Sequence, residues 1–223
     1  MELDVLVPDP TVEADPMTEA ILTAALGRFR EFGIRRTTME DIARTVGISR
    51  MSIYRRFPDR DALVKAVVLG EARAFFSRFE AAVDACETTD DLLAEGFAFA
   101  LAHSRAHPLI KRLLGSDPEF LLPYLTTGAG PIITAATEFL AGRLSREVEE
   151  GRLGPVDLGL AAELLVRLVH SFLLLPESVA ALDTDADARR FARLHLAPAL
   201  RGAGESAKDG PGAAIRHTDR GGT

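Results

Sequence analysis

The chain has 223 residues, is 47% hydrophobic and 26% charged, and so has the composition of a globular protein of one large domain or two unequal ones. No apolar run approaches the roughly 18 residues of a membrane span. The single cysteine, Cys86, excludes an intramolecular disulfide and argues against a cysteine-based metal site. Net charge is −7, yet Met17 to Gly70 hold ten basic and six acidic residues, a local net of +4, which leaves −11 for the remainder. A basic head on an acidic body confines attraction for DNA to one end; plain abundance of arginine would give the same excess.

Residues 1–14 are acidic and contain Pro8 and Pro10. They lack the basic start and apolar centre of a secretory signal, so a cytoplasmic protein with a disordered N-terminal extension is expected. From there to residue 200 the apolar periodicity is helical, and no alternating strand pattern appears. Asp15 is placed to cap a first helix with Pro16 at its first position, and Gly33 to end it in a left-handed conformation. Ile21, Leu22, Ala25, Leu26, Phe29 and Phe32 form its apolar stripe. Thr38 to Asp41 predicts a capping box at the start of a second helix, with Met39, Ile42, Ala43 and Val46 inward and Gly47 at its end. Ser49 then caps a third helix over Arg50–Phe57, with Ile53 and Phe57 inward. Pro58 stops it, and Asp59 caps a fourth, expected from Asp61 to about Cys86.

Two short helices around a tight glycine turn can set the second at the angle needed to enter a major groove. With Ile53 and Phe57 turned inward, Arg50, Met51, Ser52, Tyr54 and Arg55 remain on the outer side. The stretch Ile21–Leu69 resembles the TetR family of regulators. The resemblance is carried by Ala25-Leu26, Phe29, Phe32-Gly33, Thr37-Thr38, Asp41-Ile42-Ala43, Gly47-Ile48-Ser49, Ile53-Tyr54, Phe57 and Asp61-Ala62-Leu63. Arg56 departs from the usual His or Tyr, and Arg60 from the usual Lys. The resemblance implies DNA contacts from Thr38, Ser49, Arg50, Met51, Ser52, Tyr54, Arg55, Arg56 and Arg60. Thr38 and its helix start, Tyr54, Arg56 and Arg60 are the candidates for phosphate. Arg50, Met51, Ser52 and Arg55 are those nearest base edges, where an arginine can pair with guanine. A solvated helix face is the alternative for each.

Behind the head, further helices are expected near Asp90–Ala106, Pro108–Leu114, Pro118–Thr126, Pro131–Glu150, Val156–Leu175 and Ala186–Leu196, with breaks at Gly115 to Pro118, Gly128 to Pro131 and Gly151 to Pro155. Few charges fall on the inferred inward faces. The family resemblance implies an effector cavity here and a dimer joined through the last helix pair. Phe79, Phe97, Leu121 and Phe172 are the candidate wall of that cavity, with a mainly apolar ligand such as a fatty acyl chain; core packing is the alternative for each. His103 and His107 have a helical i, i+4 spacing, but no neighbouring ligand completes a metal site, and no catalytic constellation or phosphate loop is present. Neither cofactor nor metal is expected.

The fold expected is therefore all-α. A helix-turn-helix DNA-binding head, 15–65, is joined by a long fourth helix to a helical ligand-binding and dimerisation body, 66–200, with a disordered tail at 201–223. The function expected is a ligand-responsive regulator, a repressor rather than an enzyme, that binds a palindromic operator as a homodimer. The alternative is a DNA-binding regulator without a small-molecule effector, its body serving dimerisation or a protein partner.

Overall fold

The computed structural model describes residues 15–116, 122 and 125–202. Helices are the only regular elements among them: α1 Pro16–Phe32, α2 Met39–Val46, α3 Arg50–Arg56, α4 Arg60–Val83, α5 Thr89–Ala106, α6 Pro108–Ser116, α7 Gly130–Glu149, α8 Leu158–Leu174 and α9 Asp185–Phe191. A π-helical stretch, Ala192–Leu196, continues α9 into helical residues 197–202. The extension 1–14, Leu121, most of the helix expected near Pro118–Thr126, and the tail beyond 202 lie outside the described residues.

Local side-chain chemistry sets the helix starts. The Asp15 carboxylate accepts from the Met17 N–H, and Pro16 opens α1. Thr38 and Asp41 form a reciprocal capping box on α2. Ser49, Asp59, Thr88, Asp157 and Thr184 each accept an N–H from the first turn of α3, α4, α5, α8 and α9. Gly47 closes α2 in the left-handed region, at φ 79° and ψ 29°, where a Cβ is strained. Gly33 differs from its expected left-handed cap: φ is 83°, but ψ of 161° makes the chain leave α1 extended. That exit buries Ile34 and lets the buried Thr37 hydroxyl donate 2.8 Å to the Gly33 carbonyl.

The head core gathers Ile21, Ala25 and Phe29 of α1, Met39, Ile42 and Ala43 of α2, Ile53 of α3, Phe57, and Leu63 and Val67 of α4. It does not stop at residue 65, because Leu109 of α6 and Leu125 belong to the same cluster. The helix carrying Leu63 thus runs from that core into the body without a break, ending at Val83 rather than near Cys86.

Two further clusters fill the body. One packs Phe79 and Val83 of α4 with Leu92, Leu93, Leu144, Ala161 and Ala162. The other packs Phe97, Ala98 and Leu101 of α5 with Leu182, Ala188 and Ala192. Gly96 brings α4 and α5 together; a Cβ there would meet the Phe79 ring at 2.8 Å. The inward faces are less apolar than expected, since α7 buries both Arg143 and Glu147. Glu147 escapes the usual cost of a buried charge by accepting from Arg143, Arg152 and Thr89 at 2.7–3.0 Å. Arg201, expected in a disordered tail, is helical and paired with Asp90.

Candidate nucleic-acid interface

The outer face of α3 exists because its inner face is fully used. Ile53 and Phe57 are buried between α1, α2 and α4, and Ile48 packs against the same core. Arg50, Met51 and Arg55 are left exposed, and Ser52 and Tyr54 half-buried. Met51 is 76% exposed, an unusual position for a thioether. Arg50 lies 5.3 Å from the Tyr54 ring centre and makes an exposed ion pair with Glu40 at 3.0 Å. Ser49 and Ser52 share a 2.9 Å hydroxyl contact. Arg55 has no ion pair or hydrogen bond among the described residues.

The residues predicted for phosphate are less free. Arg56 donates through Nε to Asp15 at 2.9 Å and is half-buried. That hydrogen bond is the leading reason the Asp15 carboxyl is held below the ordinary carboxylate range. Arg60 donates to the Ile34 carbonyl, tying the start of α4 to the exit of α1. Thr38 donates to Asp41 at 2.6 Å within the capping box, and the Asp41 carboxyl is likewise held low, chiefly by Thr38. Thr38 is nonetheless exposed. These contacts join residues as far as 41 positions apart, which no local pattern announces.

The body candidates do not share one wall. Phe79 packs with Phe75, Phe99 and Phe139, whereas Phe97 packs with Phe172 and Phe191 in the other cluster. The His103 and His107 rings are 5.6 Å apart, but His107 Nε2 faces Glu71 Oε2 at 2.8 Å instead of a shared ligand. The same Glu71 oxygen accepts from Arg30 of α1 at 2.8 Å. Sequence reasoning missed this junction of head, α4 and body. No helix among the described residues is long and apolar enough to cross a membrane.

Residues 21–67 match the family described as "Bacterial regulatory proteins, tetR family", and residues 89–195 match "Bacterial Tetracyclin repressor, C-terminal domain". The regulator AlkX of Mycobacterium tuberculosis is 37% identical over 106 residues, 47% of this chain and 50% of that protein, so this match spans about half of either length. RutR of Escherichia coli K12 is 30% identical over 151 residues, 62% of this chain and 65% of its own. Both are HTH-type transcriptional regulators. Among solved structures, the TetR family repressor AlkX from Dietzia sp. strain DQ12-45-1b, implicated in biodegradation of n-alkanes, superposes with a TM-score of 0.62 at 27% identity, covering 82% of this chain and 97% of its own. With both its head and its body matched, this chain belongs to the TetR family of bacterial transcriptional regulators.

Proposed function

We propose that this protein is a homodimeric, ligand-responsive repressor that reads a palindromic operator through α3 and is released by an apolar effector. One observation carries the reading: α3 is fixed from behind by Ile53 and Phe57 and presents Arg50, Met51 and the unpaired Arg55 outward. Arg50 and Arg55 are assigned to base edges, with Met51 and Ser52 beside them. Thr38, Ser49 and Tyr54 are assigned to the backbone, with Arg56 and Arg60 offering phosphate the N–H groups that Asp15 and the Ile34 carbonyl do not use.

The dimer face is assigned to the exposed line Leu160, Leu164, Arg167, Ser171 and Leu175 on and just past α8, opposite the buried Ala161 and Ala162. The effector reading draws on the similarity to the Dietzia AlkX repressor and on the aromatic body. Because the head core includes Leu109 of α6, a ligand that favours one body packing can act on head spacing. The tightly stacked aromatic pairs, such as Phe76 on Phe139 at 4.4 Å, favour the second reading, a regulator with no small effector.

Titrating the protein onto the palindrome nearest its own gene, with and without C12–C18 acids and esters, separates the two. The effector reading expects operator affinity to fall at least tenfold with a bound ligand. Tight ligand binding with unchanged operator affinity would reject the switch.

A further inference from the structure

Glu40 is the acidic residue of α2 that its own helix leaves unpaired. Asp41 closes the capping box with Thr38. Arg44, one turn after Glu40 and its natural i, i+4 partner, pairs with Asp41 instead at 3.3 Å. The Glu40 carboxylate turns to α3, where its Oε1 lies 3.0 Å from Nε of Arg50. A carboxylate is at odds with the task of this surface. α3 carries Arg50, Arg55 and Arg56 and no acid, and a half-exposed negative charge beside it repels every phosphate that approaches.

What the carboxylate does there follows from the shape of its partner. A guanidinium is a rigid planar fork of N–H donors. The ion pair takes Arg50 by its Nε edge. The Nη1–Nη2 end has no hydrogen bond among the described residues. That end is the one that can meet O6 and N7 of a guanine with two parallel N–H groups. The Tyr54 ring, one turn along α3, lies 5.3 Å from the same guanidinium carbon. Arg50 is therefore 71% exposed yet touched by α2 through an acid and by α3 through a ring. Arg55, on the same helix, has neither contact.

We infer that Glu40 is a positioning residue for sequence reading: it orients the Arg50 guanidinium for a guanine, and its charge weakens binding to DNA of other sequences. The inference rests on the assignment of Arg50 to a base edge above. A free arginine gives up its rotamer freedom on binding, whereas one already held gives up less. The carboxylate thus opposes phosphate attraction everywhere and offsets that loss only where the matching base is present, which raises the ratio of specific to non-specific binding. The competing role is local, since an acid in the first turn stabilises α2 through the helix dipole.

The test measures affinity for the palindrome nearest the protein's own gene, for its single base-pair variants, and for an unrelated duplex of equal length. The hosts are the unaltered full chain, Glu40→Ala, Glu40→Gln, Arg50→Ala and the double variant of Glu40→Ala with Arg50→Ala. Arg50→Ala identifies the base pair that Arg50 reads. Glu40→Ala should reduce discrimination at that same pair about fivefold, the upper range for an exposed ion pair, and should bind the unrelated duplex more tightly. In the Arg50→Ala background the same substitution should change discrimination there no further. Glu40→Gln keeps an acceptor for Nε and should retain discrimination within about twofold, while the unrelated duplex still gains. Unchanged discrimination in Glu40→Ala, with only a lower Tm, would confine Glu40 to the helix start and overturn the inference. Lost preference at a base pair that Arg50→Ala leaves intact would make Glu40 itself a base reader, accepting from cytosine, and overturn it too. If Arg50→Ala relaxes no base pair, the base assignment of Arg50 falls and the positioning role with it.

Discussion

Replacing Glu147 with Ala is expected to cost about 3–5 kcal/mol of folding free energy, the usual range for removing one partner of a buried ion pair. Glu147 is 1% exposed and accepts from Arg143, from two nitrogens of Arg152 and from the Thr89 hydroxyl, so it fastens α7 to the start of α5 and to the turn before α8. The variant would leave Arg143 buried beside only a distant Glu80 at 3.8 Å. Chemical denaturation at pH 7 measures the loss, and a loss under 1 kcal/mol would show that the cluster is not holding the body. The same carboxylate gives a pH signature. Its pKa is lowered from 4.5 to about 2, chiefly by the Arg152 hydrogen bonds. A depressed folded-state pKa stabilises above the unfolded value and ceases to do so as pH falls through the folded one. Glu147 therefore contributes about 3 kcal/mol at neutral pH, lost between about pH 4.5 and pH 2. The acid-induced part of that loss should vanish in Glu147→Gln, which carries no proton to gain.

Leu160→Asp combined with Leu164→Asp is expected to produce a monomer and to weaken operator binding about 100-fold, because two linked heads gain avidity that one head lacks. Both leucines are about half or more exposed on α8, one turn apart, and neither contributes to the core clusters. The substitution therefore removes an intermolecular contact at little cost to the chain's own packing. Thermal unfolding checks the fold, sedimentation at micromolar concentration checks the assembly, and a mobility-shift titration checks the operator. A variant that stays dimeric would move the dimer face elsewhere, with the exposed Leu194 beyond α9 the next surface to alter.

Much of the head was legible in the sequence because its instructions are local. Asp15 with Pro16, Thr38 with Asp41, Ser49 and Asp59 each start a helix by a bond within three residues, and Ile53 and Phe57 define the inner face of α3 by spacing alone. What was illegible is non-local. Arg56 finds Asp15 across 41 residues and Arg60 finds Ile34 across 26, so two arginines that the family resemblance offered to DNA also serve the head's own geometry. In the body, helix starts were readable from proline and glycine breaks. Their partners were not: Arg143 and Glu147 are buried as a pair, where the pattern predicts apolar inward faces. The aromatic candidates divide between two clusters: the Phe79 ring presses against α5 at Gly96, whereas Phe97 packs with Phe172 and Phe191.

Arg55 tests most directly whether α3 reads bases as one half of a symmetric dimer. It is the exposed arginine of α3 without a protein partner among the described residues, so its loss disturbs no internal contact. The measurement is operator affinity against every single base-pair change in one half-site, for the unaltered protein and Arg55→Ala, with the number of chains bound per palindrome. Two chains per palindrome are expected, with discrimination of about 1–3 kcal/mol lost at one base pair and at its symmetry mate, and preserved elsewhere. A variant that weakens every sequence alike, with a salt slope lowered by about 1, would place Arg55 on phosphate and contradict base reading by this helix face.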